Sequence, residues 1–173
     1  MKEKTNRREF TWLASSGVCG VFAGPLLRAA DPESEAKLDP AKKGLVLPGL
    51  NALARAHEMD YFADGHRGAS LISAELLCEE NDLPEAAHAR IVQLFDANGA
   101  GSPLCAPFPE TDPAPDQVRK IGVALAEGGE QLRQVGHNAI FAMLAIKAFR
   151  ILPEAATPEP IEGVCQLVRA MTP

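Results

Sequence analysis

The stretch His137-Asn138-Ala139-Ile140-Phe141-Ala142-Met143-Leu144-Ala145-Ile146-Lys147-Ala148-Phe149-Arg150-Ile151-Leu152 is apolar almost throughout, and Pro153 stops it. Only Asn138, Lys147 and Arg150 interrupt it. It is too long for an ordinary strand and too short to span a membrane. Such a segment reads as a buried central helix, and what surrounds it must be able to cover it.

The neighbours read as helices too. From Leu50 to Phe62, apolar residues fall at Leu50, Leu53, Ala54, Ala56 and Tyr61, and Asp64-Gly65 is expected to break that helix. His66 to Cys78 forms a second helix, with Ala69, Ile72 and Leu76 on one side. Pro84 is placed to open a third, carrying Ala87, Ile91, Leu94 and Phe95. Residues 98–116 hold two glycines and five prolines, too many for helix or central strand. Asp116 is expected to cap a helix running from Gln117, and Pro158 or Pro160 to open the last one, with Ile161, Val164, Leu167 and Val168 apolar. No window alternates with period two. The expectation is an all-α domain of about six helices and no sheet.

The central stretch also has a counterpart. Gly136-His137 precedes it, and Gly65-His66 stands 71 residues earlier. Each His is followed by the same pentapeptide, Leu83-Pro84-Glu85-Ala86-Ala87 and Leu152-Pro153-Glu154-Ala155-Ala156, at distances of 17 and 15 residues. Val92-Gln93-Leu94 answers Cys165-Gln166-Leu167. The reading is two three-helix repeats, residues 50–97 and 121–170, related by a pseudo-twofold and joined by the Pro-rich crossover 98–116. The whole helical domain is expected over residues 48–173, preceded by a polar tether over residues 31–47.

The N-terminus carries a different message. Asn6-Arg7-Arg8-Glu9-Phe10-Thr11-Trp12-Leu13 places two arginines before an uncharged run from Trp12 to Leu27, which contains Ser15, Ser16, Gly17, Gly20, Gly24 and Pro25. Residues 1–30 resemble a twin-arginine (Tat) signal peptide. The resemblance implies recognition by the Tat translocation machinery, export of an already folded chain, and a periplasmic or extracellular destination. Cleavage after Ala29-Ala30 or near Val21-Phe22-Ala23 and retention as an uncleaved anchor are the alternatives. The resemblance ends at residue 30 and implies no chemistry for the rest.

With residues 1–30 set aside, 12 basic and 21 acidic residues remain, a net charge of −9. An acidic surface without a Lys/Arg cluster argues against nucleic acid and anionic membrane as partners. Cys78, Cys105 and Cys165 are an odd number, so they cannot all pair within one chain. A protein folded in a reducing cytosol before export is expected to keep them as buried thiols.

Candidate chemistry centres on histidine. His57, Asp60 and Asp64 stand at i, i+3 and i+7, and with His66 or His137 they could ligate a metal. There is no HExxH, no paired ExxH and no zinc-type cysteine spacing. His66 and His137, each after a glycine and each opening a helix, are the catalytic or ligand-binding candidates. The pseudo-twofold would bring them to the same end of the core. No cofactor is named by any motif, and Ser70 and Ser73 lack a nucleophile elbow. Two functions are compatible with these residues. One is an exported helical binding or accessory module for a protein partner. The other is a small extracytoplasmic enzyme or metal- or cofactor-binding protein using His66 and His137 at the repeat interface. Imidazoles that are far apart or individually capped favour the first; convergence of the two into a pocket favours the second.

Overall fold

Leu45, Val46, Leu50 and Leu53 repeat at helical spacing and are all fully buried, so the first helix runs through the middle of the molecule. The structure, a computed structural model, describes residues 44–172 apart from residues 82, 100, 130 and 131. The twin-arginine segment and most of the tether lie outside the described residues. Six helices follow in order: α1 Val46–Arg55, α2 Tyr61–Glu80, α3 Glu85–Asn98, α4 Arg119–Ala126, α5 His137–Ile151 and α6 Pro158–Ala170. Among the described residues there is no strand, and no helix is long and apolar enough to cross a membrane. The domain is therefore all-helical. Its first helix starts two residues before the boundary read from the sequence.

Glycines let α1 lie against its neighbours at short range. A Cβ on Gly68 of α2 would stand 2.6 Å from the Leu53 backbone nitrogen and 2.7 Å from the Gly49 carbonyl oxygen. A Cβ on Gly163 of α6 would stand 2.2 Å from the Ala54 carbonyl oxygen. Only hydrogen fits at either place, so the backbones themselves form the contact. The residues around these crossings, Ile72, Ala69, Val164 and Leu167, complete the core with Phe141 and Phe149 of α5.

Two boundaries differ from the sequence expectation, for one reason. The first helix stops at Arg55 and gives way to one tighter turn, Ala56–Glu58, rather than running on to Phe62. α2 then starts at Tyr61 and passes through Asp64-Gly65 without a break. Asp60 is the cause. Its Oδ1 accepts from the Phe62 and Ala63 backbone N–H groups at 3.2 and 3.0 Å, and Asp64 Oδ2 accepts from the Asp60 N–H at 3.2 Å. This reciprocal cap starts a helix where the sequence suggested an end. Gly65 sits inside it as a packing position. Its Cβ would be 2.5 Å from Phe141 Cε2. Asp116 likewise lies within the short turn Pro115–Val118, and α4 begins three residues later.

α3 and α6 are used differently. α6 buries Pro160, Ile161, Gly163, Val164, Cys165, Leu167 and Val168, whereas α3 has no fully buried residue. The Pro-rich segment is strapped to α1. Arg55 donates to the Ala106 and Pro107 carbonyls at 2.5 and 3.2 Å, its guanidinium lies 3.7 Å over the Phe108 ring, and Asn51 donates to the Cys105 carbonyl at 3.2 Å.

Candidate functional site

α5 is set against α2 where Gly65 admits the Phe141 ring, and that contact carries the two histidines together. The imidazole centroids of His66 and His137 are 4.6 Å apart, with their planes inclined by 54°. Phe62 stands edge-on to both, at 4.5 and 4.9 Å. Phe141 meets them from beneath at 5.3 and 5.7 Å. The result is a four-ring cluster in tilted and edge-to-face contacts, the geometry the ring quadrupoles favour. Phe141 is buried; His137 is half-buried; His66 and Phe62 are exposed. The cluster is thus a floor of one aromatic ring beneath one exposed and one half-buried imidazole.

Each imidazole is oriented by one main-chain acceptor. His66 Nδ1 donates to the Phe62 carbonyl, one helical turn back, at 2.7 Å. His137 Nδ1 donates to the Gln134 carbonyl. A carbonyl only accepts, so Nδ1 carries the proton in both rings and Nε2 is left with its lone pair. His66 is the sixth residue of α2 rather than its opening residue. His137 does open α5.

The turn that presents His137 is strained. Gln134 and Val135 have φ of 46° and 57°, and Gly136 has φ of 95°. Glycine takes left-handed backbone freely, but a β-branched valine does so at a cost. Gln134 holds the turn in place. Its N–H donates to the Thr172 carbonyl at 3.1 Å, and its amide reaches Tyr61 Oη at 3.2 Å and Thr172 Oγ1 at 3.1 Å. One residue thereby ties the chain before α5 to the first residue of α2 and to the C-terminal segment. Asn138, buried, accepts from the Arg133 N–H at 3.1 Å and closes the other side.

The remaining candidates lie elsewhere in function or in space. Asp60 and Asp64 are occupied as the cap of α2, and Arg67 bonds Asp64 Oδ1 at 2.7 Å. His57 donates from Nδ1 to the Ala54 carbonyl at 2.8 Å and lines an open cleft with Glu58, Phe108, Glu159 and Glu162. Among the described residues no three His, Cys, Asp or Glu side chains converge as a metal group. The five candidates therefore divide into a histidine pair, a helix cap and a separate cleft. The Pro-rich segment borders the His57 cleft through Phe108. Ser70 Oγ donates to the Arg67 carbonyl at 2.8 Å, so it is not the partner of His66.

A second polar cluster had no part in the sequence reading. Glu75 of α2 is fully buried. Its Oε2 accepts from the Leu45 N–H at 3.1 Å, and its Oε1 meets His88 Nε2 of α3 at 3.0 Å. The signal was available: Glu75 falls beside Ile72 and Leu76, on the side of the helix that faces the core. Among the described residues, Cys78, Cys105 and Cys165 are free thiols. Burial pushes all three thiols upward in pKa; Glu75 and Glu79 add to this at Cys78, and Arg55 opposes it at Cys105.

Comparison of the chain with family models, with curated proteins and with solved structures gives no match.

Proposed function

We propose that the protein is an exported helical binding module that works with a partner outside the cytoplasm, and that its recognition point is the Phe62–His66–His137–Phe141 cluster. The observation that carries this reading is that an exposed and a half-buried imidazole, 4.6 Å apart on a buried aromatic floor, are each individually bonded to a backbone carbonyl. Exposed Ile140, at 44% of its free surface, lies one turn beyond His137 and extends the apolar rim. A cluster of rings with polar tips is the usual composition of an interaction centre. The twin-arginine resemblance supplies the destination and the Tat machinery as the first partner.

The alternative function, an extracytoplasmic enzyme or metal- or cofactor-binding protein, draws on the same contact. Its binding form is the stronger one. Each Nδ1 faces a backbone carbonyl rather than a carboxylate, and among the described residues neither imidazole is hydrogen-bonded to the hydroxyl or thiol that a nucleophile–base pair uses.

We also propose that residues 50–97 and 121–170 are copies of one three-helix unit related by a pseudo-twofold. The shared pentapeptide and the meeting of His66 with His137 support this. The third helix would then have diverged, α6 into the core and α3 onto the surface. A crystal structure in which the two segments fail to superpose with His66 over His137 would remove the idea.

The functional reading is tested in cells that export the protein. A photo-crosslinking residue placed at Ile140 should give a discrete adduct, and the same residue at exposed Val123 of α4 should not. Equal adducts at both positions, or none at Ile140, would contradict the cluster as a recognition point.

A further inference from the structure

Two imidazoles held side by side with both Nδ1 atoms committed are suited to more than packing. We propose that His66 and His137 bind one first-row transition-metal ion, with Cu2+ bound most tightly, through their two Nε2 atoms. This rests on the reading of the cluster as a binding point and names its ligand.

The first support is metric. An imidazole nitrogen lies about 2.0 Å from such a metal, which puts the ring centroid about 3.2 Å from it. Two rings in adjacent coordination positions, about 90–110° apart, then have centroids about 4.5–5.2 Å from each other. The observed separation of 4.6 Å falls in that window. The second support is the setting of the ligands. A metal-binding His commonly donates its other ring N–H to a carbonyl or carboxylate, which fixes the tautomer and aims the free nitrogen. Both His66 and His137 have that bond, to Phe62 and Gln134. The third is preorganisation. The strained turn over residues 134–136, tied to Tyr61 and Thr172 by Gln134, holds His137 in place before any ligand arrives.

The chemistry of the pair narrows the ion. Imidazole suits copper, nickel and zinc, and among divalent ions of this row copper binds nitrogen sites most tightly. No thiol or carboxylate from the described residues joins the pair, so the remaining coordination positions are open to water or to a side chain of the partner. No redox change is involved. Phe141 beneath and Phe62 beside the rings make the site one-sided, with the ion on the solvent face.

The test uses the exported protein as cells process it, purified without a histidine tag. Titration with Cu2+ followed by calorimetry and electron paramagnetic resonance should show one ion per chain with a two-nitrogen signature. His66→Gln and His137→Gln should each weaken binding by at least tenfold, while His57→Gln and His88→Gln should leave it within twofold. If a variant fails to fold, paramagnetic broadening in the wild-type protein decides instead. Resonances of residues 62–66 and 134–141 should be lost first. Undiminished Cu2+ binding in both variants, or broadening centred elsewhere in the chain, would overturn the proposal. Crosslinking from Ile140 separates this failure from failure of the binding-module reading. An adduct without metal binding removes only the metal; metal binding without an adduct removes only the partner.

Discussion

Val135 holds a β-branched side chain in left-handed backbone, yet that side chain is 93% exposed and buries nothing. Replacing it removes a cost without removing a contact. Val135→Asn should stabilise the protein by about 1 kcal/mol, read as a rise of about 3–5 °C in the thermal midpoint. A lower midpoint would mean that the turn is not left-handed at that residue. Gly65 is the opposite case, a residue whose missing side chain is filled by Phe141. Gly65→Ala should cost about 1–3 kcal/mol and shift the ring-proton signals of His66 and His137, because Phe141 has to move. The thiols add a pH dependence. Burial raises the pKa of Cys78, Cys105 and Cys165 in the folded chain, so above about pH 8.5 the unfolded chain releases protons that the folded chain retains. Stability from this source is complete below that pH and falls as pH rises. A denaturant series from pH 7 to pH 10 should show the decline, and Cys165→Ala with Cys78→Ala should flatten it.

At the scale of elements, the α1–α6 crossing depends on one missing Cβ. Gly163→Ala drives a methyl group to 2.2 Å from a carbonyl oxygen that sits in a helix and cannot yield cheaply. A loss of about 3 kcal/mol is expected in chemical denaturation. A variant as stable as the parent would show that the two helices are not in contact there. α3 behaves differently, because it contributes no buried residue and is fastened by the His88–Glu75 bond. Its amides should exchange with solvent well before those of α1 and α5 in native-state hydrogen exchange. The helical elements themselves were legible: the apolar run 137–152 became α5 ending at Ile151, and the prolines at 84 and 158 mark helix starts. The break proposed at Asp64-Gly65 was not, since a glycine before a His looks alike whether it turns the chain or admits a ring from another helix. That ambiguity is tertiary, as local sequence does not record what faces a glycine. The cap by Asp60 could have been seen, with a carboxylate two residues before the apolar Phe62 and a second acid at 64. Of the site, the two histidines were legible as a pair. The strained turn was not, because Val135 is a residue no rule places in left-handed backbone.

At the scale of the whole molecule, the first expectation concerns destination. Replacing Arg7 and Arg8 together by Lys should hold the protein in the cytoplasm, as fractionation would show, and normal export of the double variant would refute the twin-arginine reading. The packing of α1 bears on the same route from another side. Its backbone rests directly on α6, and the segment before α5 hydrogen-bonds Thr172, next to the chain's end. The core thus joins the first helix of the domain to its last, across more than a hundred residues. A nascent chain made from its N-terminus can lay α1 on α2 early, but the face of α1 that rests on α6 stays uncovered until α6 has been synthesised. A chain stopped at Thr157 should accordingly be degraded by added protease at a rate typical of unfolded protein, whereas the complete chain resists. Completion of the core then waits for α6, and on the twin-arginine reading residues 1–30 are translated long before there is a folded domain for them to carry.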